Sequence, residues 1–318
     1  MSSIVVYNLQ VQRTIAILGI CSSLGLISSV GLLGLSGCKK TTATGEQDTT
    51  NTDIGKTFEP STTEQANATP IKGIDLSGLN ESGVKRFNKL ADKLASPCNK
   101  PHSLRTSTGA SCVRTPFALR FVVELIRDGA TDKDIIGLYQ EQYSERPQQA
   151  FKLDGTNYTG PNDAAVKIVE FYDYGCGACQ AFAPELDSAV KALPNDVVVY
   201  YKQFPLTAHP DSGPAAQAAL AAGKQGKFPE MHKLLFQNAP RHKLDNLKEY
   251  AETLGLNMDK FLADYQAAAP VVSADKNEGI AAGVNSTPTT YINGRSYNGP
   301  HLAKYVQLFL EEEIAASR

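Results

Sequence analysis

The chain has 318 residues, with 31 Lys and Arg against 33 Asp and Glu, and a formal net charge of −2. Its 42% hydrophobic and 20% charged residues are ordinary globular composition, which argues against wholesale disorder and against a multi-span membrane protein. The near-neutral balance leaves no basic excess to neutralise phosphates, so no nucleic acid partner is expected.

Residues 1–37 read as a targeting segment. Arg13 is the single charged residue in them, and Thr14 to Gly37 form an uncharged run long enough to cross a bilayer as a helix. A retained membrane anchor is one reading of that run. The end of the run favours another. Leu35-Ser36-Gly37-Cys38 resembles the bacterial lipobox, in which a signal peptide is cut before a cysteine that then becomes lipidated. Either reading places the rest of the chain in the cell envelope of a bacterium, facing the periplasm or the exterior, and the second holds it to the membrane through lipid on Cys38.

With Cys21 leaving in the signal and Cys38 carrying lipid, four cysteines remain: Cys98, Cys112, Cys176 and Cys179. An even count in an oxidising compartment reads as disulfides, and proximity favours the pairs 98–112 and 176–179 among three pairings. Residues 38–73 are dominated by Thr, Ser, Asn, Gln and Gly. They cannot bury enough apolar surface to offset ordering entropy and are expected to be a flexible tether. As coil they would span roughly 30–35 Å r.m.s..

Residues 74–150 are expected to form a small helical module. Leu79, Val84, Phe87, Leu90 and Leu94 recur near helical spacing. Pro116 suits the first turn of a second helix carrying Phe117, Phe121, Val122, Leu125 and Ile126, which Asp128-Gly129 ends. Thr131 and Asp134 form a capping box for a third helix. Cys98 and Cys112 bracket a loop rich in Ser, Thr, Gly and Pro, read as a structural disulfide or, alternatively, as a second redox pair.

Residues 151–318 carry the chemistry. Val166–Tyr172 is a β-branched and aromatic run of buried-strand type. Cys176-Gly177-Ala178-Cys179 follows and opens a helix through Phe182, Leu186, Val190 and Leu193. A second strand spans Val197–Phe204, and an alanine-rich helical stretch runs from Pro214 to about Gly283. Thr289–Ile292 and Arg295–Tyr297 pair across Asn293-Gly294, a strong hairpin signal, and His301–Ile314 is a terminal helix. This order predicts an α/β chain: a thioredoxin fold with a helical insertion, preceded by the small helical module.

A Cys-x-x-Cys pair between a strand and a helix is a redox device. The first thiol sits at the helix N-terminus, where the macrodipole favours the thiolate. The second is recessed and can attack a mixed disulfide from behind. Half of a zinc site and an inert disulfide are the other readings of the pair. Zinc needs four ligands, and no second close Cys/His pair exists in this domain.

Three stretches, VEFYDYGCGACQAF, FPLTAHPDSGPAAQAALAAGKQGKFPEMHKLLF and GVNSTPTTYINGRSYNG, together resemble the DsbA-like thiol:disulfide oxidoreductases of bacterial cell envelopes, over residues 160 to 315. The resemblance implies that Cys176 attacks and Cys179 resolves. It implies that Thr287-Pro288 is the loop whose cis proline faces the disulfide and holds an extended substrate by strand addition. It places a buried acid at Glu170, to exchange a proton with Cys179 during resolution; a strand-edge glutamate exposed to water is the other reading. The expected partners are exported protein substrates and an unidentified redox recycling partner, with no cofactor and no metal. Gly177-Ala178 offers no histidine to the thiolate, so backbone amides and the helix dipole must stabilise it. The Cys176 pKa is then expected between about 3.5 and 8.5, and the potential between about −120 and −270 mV. Asp173 could affect the field of the site, and His209, His232 and His242 are expected to be solvated or capping.

The stretch 98–146 also resembles the periplasmic thiol domain of CcmH-type cytochrome c maturation proteins, although thirteen residues separate Cys98 from Cys112 and the family's close Cys-x-x-Cys is absent. A reductase or isomerase serving cytochrome c maturation is one alternative function, and a non-catalytic thioredoxin-fold binding or chaperone module is another.

The anchor is directly testable. Cys38→Ser should abolish partition of the protein into detergent, since stable anchoring takes more than one acyl chain on this cysteine. A Cys38→Ser protein that keeps residues 14–37 and stays in the membrane would establish the retained helix instead.

Overall fold

Three helices begin the folded part of the computed structural model, which describes residues 71–98, 101–107 and 112–318. The signal segment, Cys38 and all of the tether before Ile71 lie outside the described residues. Asn80 caps α1 (Glu81–Lys93) by accepting from the Gly83 N–H, and Phe87, Leu90 and Ala91 form the buried stripe of that helix. Pro116 stands in the first turn of α2 (Thr115–Arg127), and Gly129, at φ +80°, ends it. Thr131 caps α3 (Asp132–Tyr143) through the Asp134 N–H, and its hydroxyl also donates to the Asp134 carboxylate. Cys98 and Cys112 are disulfide-bonded between α1 and α2.

The sheet follows: β1 (Tyr158–Thr159), β2 (Val166–Tyr172), β3 (Val197–Gln203), β4 (Thr289–Ile292) and β5 (Arg295–Tyr297), in the spatial order β1-β3-β2-β4-β5. β2 runs parallel to β3, with Val166 opposite Val197, and antiparallel to β4, with Ile168 opposite Ile292. A parallel pair needs a crossover, and α4 (Gly177–Lys191) supplies it. Asn293 (φ +48°) and Gly294 (φ +76°) both take the left-handed conformation that a two-residue hairpin turn requires. Between β3 and β4 lie α5 (Ser212–Gly223), α6 (Phe228–Gln237), α7 (Leu244–Thr253), α8 (Met258–Ala267) and α9 (Ala269–Ala281); α10 (Ala303–Ala316) closes the chain. This is the thioredoxin fold with a helical insertion.

Alternation along β2 sends its side chains into different cores. Val166 and Ile168 meet Phe182 and Leu186 of α4 and Phe309 and Leu310 of α10. Val169 and Phe171 meet Val198, Phe204 and Tyr291 on the other face. Tyr172 joins Cys176, Cys179 and the insertion, where the alanine face of α5 leaves room for Met231, Leu235 and Phe261.

The helices expected as a separate module share the first of these cores. Phe87, Leu119, Phe121, Ile135 and Tyr139 belong with Val166, Ile168 and Phe309. Phe121 stands edge-on to Phe309 and Tyr305 of α10, at 5.2 and 5.7 Å. A boundary at residue 150 therefore divides no two cores.

An ion network closes the same junction. Glu312 of α10 is 1% exposed and lies against Arg114, which also reaches Glu313 at 2.6 Å. Arg295 reaches Glu313 at 2.6 Å, and the Tyr143 hydroxyl donates to Glu312 at 2.8 Å. Burial raises the Glu312 carboxyl pKa, and Arg114 opposes that rise. Arg114→Met should cost about 3 kcal/mol, because it strands a buried carboxylate. Denaturant unfolding followed by far-ultraviolet circular dichroism measures that loss; a cost under about 1 kcal/mol would mean that Arg295 and Tyr143 suffice for Glu312.

Candidate redox site

β2 ends at Tyr172 and α4 begins at Gly177, so a tight turn must join them. The Cys176 N–H donates to the Asp173 carbonyl at 3.1 Å and closes that turn. Cys176 is then the N-cap of α4, with extended backbone (φ −84°, ψ 117°), at the helix end whose first-turn amides lack intrahelical partners. Cys179 is one turn deeper. Both cysteines are free thiols, with Cys176 9% exposed and Cys179 0%. The first thiol, although less recessed than the second, is thus itself nearly covered. The Thr287 carbonyl lies 3.3 Å from its sulfur and accepts from it in the thiol form, so the loop covers the site. The Thr287-Pro288 bond is cis, as expected, and so is Ala239-Pro240, which the sequence did not indicate.

The two sulfurs titrate in opposite directions. Cys176 is lowered to about 5, first by the Cys179 thiol donating to its sulfur, against the cost of burial, then by Thr287 and the amides of Cys179 and Ala178. The Thr287 hydroxyl is buried with no hydrogen-bond partner among the described residues. Backbone amides contribute as expected, but the largest share comes from the partner cysteine. Burial, followed by Cys176, pushes the Cys179 thiol far up. At neutral pH the pair is one thiolate and one thiol, which is the arrangement disulfide exchange needs.

Glu170 lies in the middle of β2, 1% exposed, with Tyr201 of β3 on one side and Thr290 of β4 on the other. It is not an edge residue. Its Oε1 and the Thr290 hydroxyl both lack a hydrogen-bond partner among the described residues. Burial pushes the carboxyl up to about 8, so the folded protein holds this proton at neutral pH.

Of the three histidines expected to be solvated or capping, His242 caps a helix, while His209 and His232 are bound into the protein. His209 places Nδ1 2.7 Å from Asp173 Oδ2. His232 is enclosed by Tyr172, Tyr201, Phe228 and Phe236, and burial lowers it to about 3. It ends a buried chain that no local motif announces: Gln203 to the Tyr172 hydroxyl, Tyr172 to Tyr174 at 3.2 Å, and Tyr174 to His232 Nδ1 at 2.9 Å. His242 is buried and caps α6 through the Leu235 carbonyl at 2.9 Å. Among the described residues no cluster of three or more His, Cys, Asp or Glu is arranged to hold a metal ion.

Residues 152–312 match the family model described as Thioredoxin. Among curated proteins, the Na(+)/H(+) antiporter NhaA 3 of Salinispora tropica is 34% identical over 172 residues, which are 52% of this chain and 26% of that protein. The chain thus spans about a quarter of the length of the curated relatives it matches. No helix among the described residues is long and apolar enough to cross a membrane. Among solved structures, a thioredoxin-like oxidoreductase from Silicibacter pomeroyi DSS-3 is 28% identical, with a TM-score of 0.43 over 48% of this chain and 88% of that one. BdbD from Bacillus subtilis is 21% identical, with a TM-score of 0.46 over 51% and 95%.

The Glu170 proton makes a stability test. The unfolded chain loses it near pH 4.5 and the folded protein near pH 8. Between those values the folded state binds more protons, so stability falls as pH rises. Glu170→Gln removes this slope. From pH 5 to pH 8 the variant should gain about 3–4 kcal/mol on its parent. Denaturant midpoints across that range report it, and a constant gap would show Glu170 already ionised at neutral pH.

Proposed function

The chain belongs to the thioredoxin family, and we propose that it is a thiol:disulfide oxidoreductase acting on exported proteins in the bacterial cell envelope. One observation carries this reading: two free thiols share the first turn of α4, one at the N-cap against the Thr287 carbonyl and the other wholly buried. Cys176 and Cys179 are the catalytic pair, and Thr287 and Pro288 form the substrate loop. Cys98–Cys112 is a structural bridge. The lipid anchor is assigned to Cys38 on the Leu35–Cys38 motif alone.

The electrons balance as follows. With the pair oxidised, a substrate thiolate attacks Cys176 Sγ, the Cys176–Cys179 bond breaks, and Cys179 leaves as thiolate. A second substrate thiolate then attacks the mixed disulfide and expels Cys176 as thiolate, so the substrate loses two electrons and the protein gains them. The reverse sequence reduces a substrate disulfide. Stabilising the Cys176 thiolate stabilises the reduced protein and so favours the oxidising direction. Cys179 must gain a proton as it leaves, and Glu170, holding a proton up to about pH 8, is assigned to give it; in the reverse direction the Glu170 carboxylate left by that transfer takes the proton back as Cys179 attacks.

Substrate trapping tests the assignment. Cys179→Ala should accumulate mixed disulfides with envelope proteins, visible on non-reducing gels, and Cys176→Ala should accumulate none. Glu170→Gln should slow release more than capture. Trapping by Cys176→Ala alone would reverse the roles. Turnover of reduced, scrambled and native-disulfide substrates by one preparation separates oxidase, isomerase and reductase.

A further inference from the structure

One buried carboxylate ties the turn that carries Cys176 to the start of the helical insertion. Asp173 Oδ1 accepts from the Gly175 N–H at 2.7 Å and from the Ser212 hydroxyl. Its Oδ2 accepts from the Leu206 N–H at 2.8 Å and from His209 Nδ1 at 2.7 Å. A carboxylate offers about four lone-pair sites, and these four donors fill them. The Gly175 N–H also reaches Ser212 Oγ at 3.0 Å. The main chain of Asp173 closes the same turn through the Cys176 N–H.

Gly175 supplies a second, independent observation. A Cβ there would lie 2.7 Å from Ser212 Oγ and 2.8 Å from His209 Cβ. Glycine is needed here because the insertion closes onto this backbone, at a spacing no other residue allows. His209 and Ser212 thus reach Asp173 and Gly175 across 36 to 39 positions of sequence, one to three residues before Cys176.

We propose that Asp173, His209 and Ser212, closing on Gly175, form a clasp that positions Cys176 for disulfide exchange. Such a role presupposes the exchange chemistry assigned to Cys176. The clasp side chains act through the turn, so they are positioning residues. Position matters unusually here. Gly177-Ala178 has no side chain that could hold or charge-stabilise the sulfur, so the thiolate depends on where Sγ sits relative to the Cys179 thiol and the first-turn amides. A turn loosened from the insertion lets the sulfur drift from those donors. His209, 31% exposed, is the accessible end of the clasp.

The test is a pH titration of thiolate absorbance in the reduced full-length chain, together with its rate of exchange with oxidised glutathione. His209→Ala and Gly175→Ala should each raise the Cys176 midpoint by about one pH unit and slow exchange at pH 5 by up to about tenfold. His209→Asn, whose side-chain amide can donate where Nδ1 does, should stay within about twofold of the parent. Should His209→Ala lose the near-ultraviolet tyrosine signal of the folded chain, Ser212→Ala carries the same readings, because it removes one donor and little bulk. A lowered melting temperature with an unmoved thiolate midpoint in these variants would reduce the clasp to scaffolding and overturn the proposal. A parent chain with a low midpoint that exchanges with no protein disulfide would overturn the oxidoreductase reading and the clasp's part in exchange with it, whereas midpoints moved by the variants would still show that the clasp places the sulfur.

Discussion

A sulfur anion at the margin of a protein interior costs free energy unless donors surround it. Cys176 has those donors because of where α4 begins. The helix starts one residue later, so its unpaired amides and the Cys179 thiol converge on one atom. The same helix start that lowers Cys176 also buries Cys179, and the neighbouring negative sulfur raises it further. Asymmetry between the two thiols thus needs no charged residue in the dipeptide. It follows from one N-cap and a core that closes one turn beyond it.

Two carboxylates near the end of β2 show how burial alone does not decide chemistry. Asp173 and Glu170 are three residues apart and both are buried. Asp173 meets four donors, drawn from its own turn and from the insertion. Glu170 has an oxygen with none, and its carboxyl holds a proton at neutral pH. The first has every lone pair occupied by donors that fix the turn. The second keeps its proton because no donor offsets its burial.

Local signals were the legible ones. The Asn293-Gly294 turn, the Thr131 cap, Pro116 in a first turn and the strand before Cys176 each rest on residues within a few positions of one another. The cysteine pair, the cis Thr287-Pro288 bond and the burial of Glu170 were legible through the three stretches resembling the DsbA-like proteins. Contacts between distant segments were not. An amphipathic α2 announces that Phe121 is buried, but nothing local says that Phe309 covers it. The first and last helices of the alanine-rich insertion show little apolar periodicity, so its division into five helices was hidden. A solvated or capping role is what polarity alone suggests for His209 and His232, because neither the Asp173 carboxylate beside the first nor the rings around the second are local in sequence.

Strand register finally decides whether the site's two halves can meet. β2 delivers the cysteine turn and β4 delivers the Thr287 loop, and the two strands pair with Phe171 opposite Thr289 and Glu170 opposite Thr290. Continuing that antiparallel register past the strand ends brings Asp173 level with Thr287, so Cys176 emerges beneath the Thr287 carbonyl. A slip of one residue would turn every β4 side chain to the opposite face. It would withdraw the carbonyl and place Tyr291, a residue of the opposite core, beside the buried acid. Two features hold the register. Tyr291 packs with Phe151 and Phe171 on that opposite face, at ring separations of 4.8 and 6.2 Å. The Asn293 N–H donates to the Lys167 carbonyl at 2.8 Å, while the Asn293 side chain accepts from the Lys167 N–H at 2.9 Å. The position of the reacting sulfur is therefore set from both ends of β2, by the hairpin asparagine at one and by the insertion at the other.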